Sequence, residues 1–217
     1  MERKPSLGEE LVNSITHGVG TLLAIAATAV AIVWAALYGN VYSVVSASVY
    51  GATLIILYLM STLYHAFTGK RVKSVFRIFD HCSIFLLIAG TYTPLVLVAL
   101  NGALGWTIFG IIWGSAALGI TLNAISIEKF KVFSMICYLV MGWMIVLAFK
   151  SLIGAMGFYP AFALLLAGGV CYTVGAIFYA MKNHPYMHGI WHVLVLAGSV
   201  FHYFCILFYV LPVKPVL

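Results

Sequence analysis

Charge is what this 217-residue sequence has least of: 7% of its side chains are Asp, Glu, Lys or Arg, and only five residues are acidic. A soluble globular domain carries about 25% charged residues, so a water-facing surface is excluded for most of the chain. Alternating polarity over strand-length stretches is also missing, which argues against a transmembrane β-barrel. No Cys-x-x-Cys pair occurs, and Cys82, Cys137, Cys171 and Cys205 all fall in apolar runs. There a free Cys behaves as a small hydrophobe, so free thiols are expected over disulfides. The absence of internal repeats and low-complexity segments counts against an inverted-repeat transporter. No basic stretch carries interleaved aromatics, so no nucleic-acid surface is expected.

What the chain does have is hydrocarbon: 64% of its residues are hydrophobic and its mean hydropathy is +1.11. A transmembrane helix needs about 20 mostly apolar residues to cross roughly 30 Å at about 1.5 Å per residue. Seven such stretches fit, at about residues 14–38, 42–67, 76–100, 104–124, 131–150, 157–181 and 187–211. Turn residues at Gly39–Asn40, Asn101–Gly102 and Gly154–Gly157 divide runs that periodicity alone would not separate. The expected fold is an all-α integral membrane protein, a single domain over residues 1–217 built as a seven-transmembrane helix bundle. Its first apolar run is longer than the h-region of a signal peptide, so the first helix is expected to stay in the mature protein.

Seven spans place alternate loops on opposite sides. Arg3, Lys4, Lys70, Arg71, Lys73, Arg77, Lys129, Lys131 and Lys182 fall on one side, and Lys150 and Lys214 on the other. By the positive-inside rule the N-terminus is expected in the cytoplasm and the C-terminus outside. The formal charge of +6 then reads as a topology signal with affinity for anionic lipid headgroups, making membrane lipids the expected partners.

Against this background Ser61, His65, Asp80, His188 and His192 stand out. Ionisable side chains are costly in hydrocarbon unless they pair, so they carry a functional presumption there. His65 ends the second helix, Asp80 begins the third, and His188 and His192 begin the seventh, all near the cytoplasmic leaflet. Ser61 lies one turn deeper than His65 on the same face. The His188-x3-His192 spacing presents two imidazoles from successive turns, about 6 Å apart in rise. A third nitrogen from His65 would complete a three-histidine set with a fourth tetrahedral position open, as in catalytic zinc sites. Imidazole also suits copper, iron and nickel; chemistry and prevalence favour zinc. Asp80 is either a ligand or, as favoured here, the group that holds and deprotonates the water. Ser61 is placed to donate to a developing oxyanion or to orient a histidine. The plainer alternative is that each His or Ser simply hydrogen-bonds a neighbouring helix.

Other polar residues compete for roles. His184 precedes Pro185 and is expected in a loop. His202 lies about 15 Å beyond His192 along an ideal helix, so it is expected as a buried hydrogen-bonding residue. His17, with Asn13 and Glu10, enters the first helix from the same side and either lines the mouth of the site, where it would support the ligands from behind, or is solvated at the interface. His81 points about 100° away from Asp80. Pro94 is expected to kink the third helix, and Gly110-x3-Gly114 to permit close helix packing.

Ser61-x3-His65, Asp80 at the start of the next helix and His188-x3-His192 together resemble the signature of the hemolysin III family. The runs Glu10-Leu-Val-Asn-Ser-Ile-Thr-His17 and Gly90-Thr-Tyr-Thr-Pro94 are also similar to segments of that family. The family resembles part of the progestin and adipoQ receptor family, with adiponectin receptors and, more distantly, alkaline ceramidases sharing the plan. The resemblance implies zinc held by His65, His188 and His192, with Asp80 engaging the bound water and Ser61 beside it. It also implies a cytoplasmic N-terminus and a multi-pass bacterial plasma membrane protein. The N-terminal segment lacks the long cytoplasmic extension of the animal receptors, so hormone-receptor function is not expected.

The leading expectation is a zinc-dependent hydrolase acting on a lipid amide or ester from the inner leaflet. The alternative is a non-enzymatic metal-stabilised protein: a receptor-like lipid sensor, a regulator of membrane state, or a cytolysin as the family name implies. A transporter ranks third, because the outer half of the bundle offers no acidic residue. A pore would likewise need a polar-lined stripe that no helix displays.

Overall fold

Ser6 opens the first helix through a reciprocal cap: its hydroxyl accepts the Glu9 N–H while the Glu9 carboxylate accepts the Ser6 N–H. Helix α1 therefore runs Leu7–Tyr38, starting about two turns before the apolar stretch at residue 14. The computed structural model describes residues 3, 5–156, 159–181 and 183–212. Among them are seven helices long and apolar enough to cross a membrane, and no strand. After α1 come α2 (Val41–Ala66), α3 (Lys70–Leu100), α4 (Gly102–Ile125), α5 (Ile127–Met156), α6 (Ala161–Ala180) and α7 (Met187–Val210).

The expected number of helices holds, while α1, α3 and α5 are longer than hydropathy alone implied. At about 1.5 Å per residue, the 32 residues of α1 reach about 48 Å, well beyond a hydrocarbon core of about 30 Å. Its charged first turns thus extend toward the headgroups and put Glu9 and Glu10 inside the helix. Met156 still belongs to α5. Gly157, expected to open the sixth helix, lies outside the described residues, as do Lys4, Lys182 and Lys214.

Side-chain chemistry sets the helix ends. Asn40 caps α2 by accepting the Ser43 N–H at 3.1 Å, and Ser126 caps α5 by accepting the Lys129 N–H at 3.3 Å. Asn101 and Gly102 turn the chain between α3 and α4 with φ of 41° and 55°, a region Asn and Gly adopt most readily. Pro94 lacks an N–H, and the rest of α3, Leu95–Leu100, winds as a π-helix. In α5 the Tyr92 hydroxyl donates to the Gly142 carbonyl and accepts the Ile145 N–H. The turn at Met144–Ala148 is 3-10 as a result.

Among the described residues, two apolar cores hold the bundle. Tyr50, Leu54, Leu57, Tyr58, Val195 and Ile206 fill one between α1, α2 and α7. Phe85, Val96, Ile112, Ala116 and Met141 fill the other between α3, α4 and α5. Gly110 and Gly114, expected to mediate close packing, meet open space, whereas a Cβ on Gly119 would lie 2.2 Å from the buried Phe85 ring. α4 thus packs through Gly119 because its Gly110 and Gly114 face is turned outward. Exposed Leu22, Val33, Leu118, Val132 and Leu147 cover the outside, a surface suited to lipid.

The N-terminus and three loops gather at one end. Arg3 donates to the Asn183 carbonyl at 3.1 Å, Lys73 pairs with Glu10 at 2.8 Å, and Arg77 pairs with Glu128.

Candidate metal centre

α2 delivers His65 in its last turn, just before the chain leaves the helix at Phe67. α7 delivers His188 and His192 in its first two turns, after Tyr186 has turned the chain with a φ of 60°. The Nε2 atoms of His188 and His65 lie 3.3 Å apart, and those of His192 and His188 lie 3.1 Å apart. Among the described residues these three form the one group of His, Cys, Asp or Glu side chains able to hold a metal ion.

The two separations through His188 are close to those of a tetrahedral site, and the three ligand atoms all lie within 4.8 Å of one another. Two nitrogens each about 2.0–2.1 Å from a tetrahedral zinc sit about 3.3–3.4 Å from one another. Protonation also fits. His65 Nδ1 lies 2.7 Å from Glu10 Oε2, and His192 Nδ1 lies 3.2 Å from the Asn13 carbonyl oxygen. Both oxygens can only accept, so each Nδ1 donates, and in the neutral rings the lone pairs of both Nε2 atoms face the shared centre.

Asp80 does not join the ligand group. It borders, with His65 and His188, a cavity of about 530 Å³ at the charged end, ringed by Lys73, Arg77 and Tyr186. Ser61 is buried one turn below His65. Its hydroxyl lies near the Asp80 carboxylate and makes no hydrogen bond among the described residues.

The remaining histidines separate as expected in part. His184 sits in the α6–α7 loop. His202 is remote, with Nε2 3.1 Å from the Leu165 carbonyl oxygen. His81 lines the cavity without entering the ligand group. His17 is buried and stacks on His192, ring centroids 3.7 Å apart and planes within 8°, so it lies against a candidate ligand, as the supporting role weighed for it requires, and is not solvated at the interface.

Sequence reasoning missed Glu9 and undervalued Glu10. Glu9 pairs with Arg3 and accepts the Tyr186 N–H at 2.9 Å, tying the start of α1 to the turn that launches α7. Ser6-x-x-Glu9 is a capping-box pattern legible in the sequence; it would have put both glutamates on the helix that carries Asn13 and His17.

Comparison with known proteins agrees with this architecture. The haemolysin-III related family profile matches residues 6–203. Hemolysin-3 of Bacillus cereus is 47% identical over 204 residues, covering 94% of this chain and 93% of that protein. The hemolysin-3 homolog of Bacillus subtilis (strain 168) is 44% identical over 208 residues, covering 96% and 97%. The human monocyte to macrophage differentiation factor, a distant relative from the progestin and adipoQ receptor family, is 29% identical over 209 residues, covering 94% and 85%. Similarity to Bacillus proteins fits a multi-pass protein of a bacterial cell membrane. With seven apolar spans, the histidine cluster and a match over nearly its whole length, the chain belongs to the haemolysin III family.

Proposed function

We propose that the protein is a zinc-dependent membrane hydrolase that cleaves a lipid amide or ester near the cytoplasmic leaflet. The observation that carries this reading is the convergence of three imidazole nitrogens beside a cavity that Asp80 also borders. Zinc held by His65, His188 and His192 would supply Lewis-acid polarisation of a carbonyl and a water of pKa about 7.

Within that site Asp80 takes the proton of the attacking water and returns it to the leaving group. Ser61 donates a hydrogen bond toward the developing oxyanion or holds the Asp80 carboxylate in place. A cavity of about 530 Å³ is large enough for a polar headgroup. A second, apolar cavity of about 110 Å³ lies between Leu57, Trp191 and Val195, room for a short segment of a hydrocarbon tail. The cationic loops at this end favour a cytoplasmic N-terminus.

The test is turnover by purified wild type and Asp80→Asn across a panel of lipid amides and esters, with metal content measured on the same samples. Metal-dependent cleavage that Asp80→Asn abolishes while retaining metal supports the hydrolase. Bound metal with no cleavage of any lipid would transfer the site to a structural or sensing role.

A further inference from the structure

The first helix gives the candidate metal centre no ligand, yet it touches all the elements that do. Glu10 Oε2 lies 2.7 Å from His65 Nδ1, and Glu10 Oε1 accepts from Lys73 Nζ at 2.8 Å. The Asn13 carbonyl lies 3.2 Å from His192 Nδ1. One turn of α1 thus meets the outward-facing nitrogen of two histidines.

We propose that Glu10 is a positioning residue of the metal centre: its carboxylate fixes the tautomer and ring orientation of His65. The proposal rests on the reading of His65, His188 and His192 as ligands. Its chemistry is that of a carboxylate–histidine–metal triad, in which the carboxylate accepts the Nδ1 proton, leaves Nε2 as the ligating atom and strengthens its donation. A neutral imidazole left without that acceptor is free to exchange tautomers and rotate about χ2, and each misplaced state removes a ligand.

Lys73 distinguishes this arrangement from a chance contact. Its ammonium holds the second carboxylate oxygen and lies 5.0 Å from the centroid of the Tyr64 ring, next to His65. With one oxygen on His65 and the other on Lys73, the carboxylate cannot turn away without losing both partners. Glu10 thereby links α1 to α2 and to α3, the helix that carries Asp80. The ordinary reading is a helix-packing ion pair, for which loss of Glu10 would alter folding stability alone and leave the metal's surroundings unchanged.

The experiment uses the full chain in detergent, stripped by chelator and titrated with zinc, with cobalt as a spectroscopic probe of the ligand field. Glu10→Met has similar length and only a weakly accepting thioether; Glu10→Gln keeps an oxygen that can accept from Nδ1. Wild-type binding with affinity reduced about 10–100-fold in Glu10→Met is expected, with an altered cobalt spectrum and partial recovery in Glu10→Gln. Wild-type affinity and spectrum in Glu10→Met would overturn the proposal while leaving the metal site standing. No metal on wild type would instead remove the site itself and the proposal with it. Should Glu10→Met fail to fold, ring ¹⁵N NMR of zinc-loaded wild type decides: a protonated Nδ1 with ligated Nε2 on His65 supports the proposal, and ligation through Nδ1 contradicts it.

Discussion

Glu9 Oε1 accepts the backbone N–H of Tyr186 at 2.9 Å, a contact that spans 177 positions of sequence. Tyr186 has a positive φ at the residue before α7 begins, a conformation costly for a non-glycine residue unless its surroundings hold it. The same carboxylate closes the cap of α1 and pairs with Arg3, so one buried side chain anchors the N-terminus and the turn that aims His188 into the cavity.

Glu9→Ala is therefore expected to lower folding stability by about 1–3 kcal/mol, from the lost cap and the orphaned Tyr186 N–H. Thermal unfolding of the metal-free protein in detergent measures this. An unchanged midpoint would show that the contact does not hold the turn.

Asp80→Asn and Ser61→Ala are expected to keep the metal, because neither residue belongs to the ligand group. Loss of the proton acceptor at position 80 should reduce lipid turnover about 10²–10⁴-fold. Loss of the Ser61 donor should cost less. Parallel metal analysis and turnover assays separate these effects from ligand loss.

Chelation is expected to destabilise the bundle, since the ligands bridge α2 and α7. At a free metal concentration about 1,000 times the Kd, binding to the folded state alone contributes about 4 kcal/mol. Unfolding midpoints before and after chelation, and after readdition of zinc, measure it. His188→Ala should show no chelator effect.

Two glycines of α4 should respond oppositely to alanine. A Cβ at Gly119 would press on the buried Phe85 ring at 2.2 Å, so Gly119→Ala is expected to cost about 1–3 kcal/mol. Gly114 meets open space, and Gly114→Ala should be neutral or slightly stabilising. Detergent unfolding of the two variants side by side checks both.

The spans were legible because a helix in hydrocarbon is apolar on every face, and Gly39–Asn40 and Asn101–Gly102 mark breaks between them. The ends were not, since the hydropathy of α1 begins after its capping box at Ser6 and Glu9. His65, His188 and His192 could be grouped from depth and spacing. Glu10 and the His17–His192 stack depend on how α1 is rotated against α2 and α7, which no one-dimensional pattern records. Gly110-x3-Gly114 shows the reverse error: a spacing that favours close contact meets none when its face is turned outward.

Metal content of wild type and His188→Ala, both purified without chelator from cells supplied with zinc, tests the central claim most directly. About one zinc per chain in wild type and a near-complete loss in the folded variant is the predicted result. Wild type without metal, or a variant that retains as much as wild type, would contradict a site built on His65, His188 and His192.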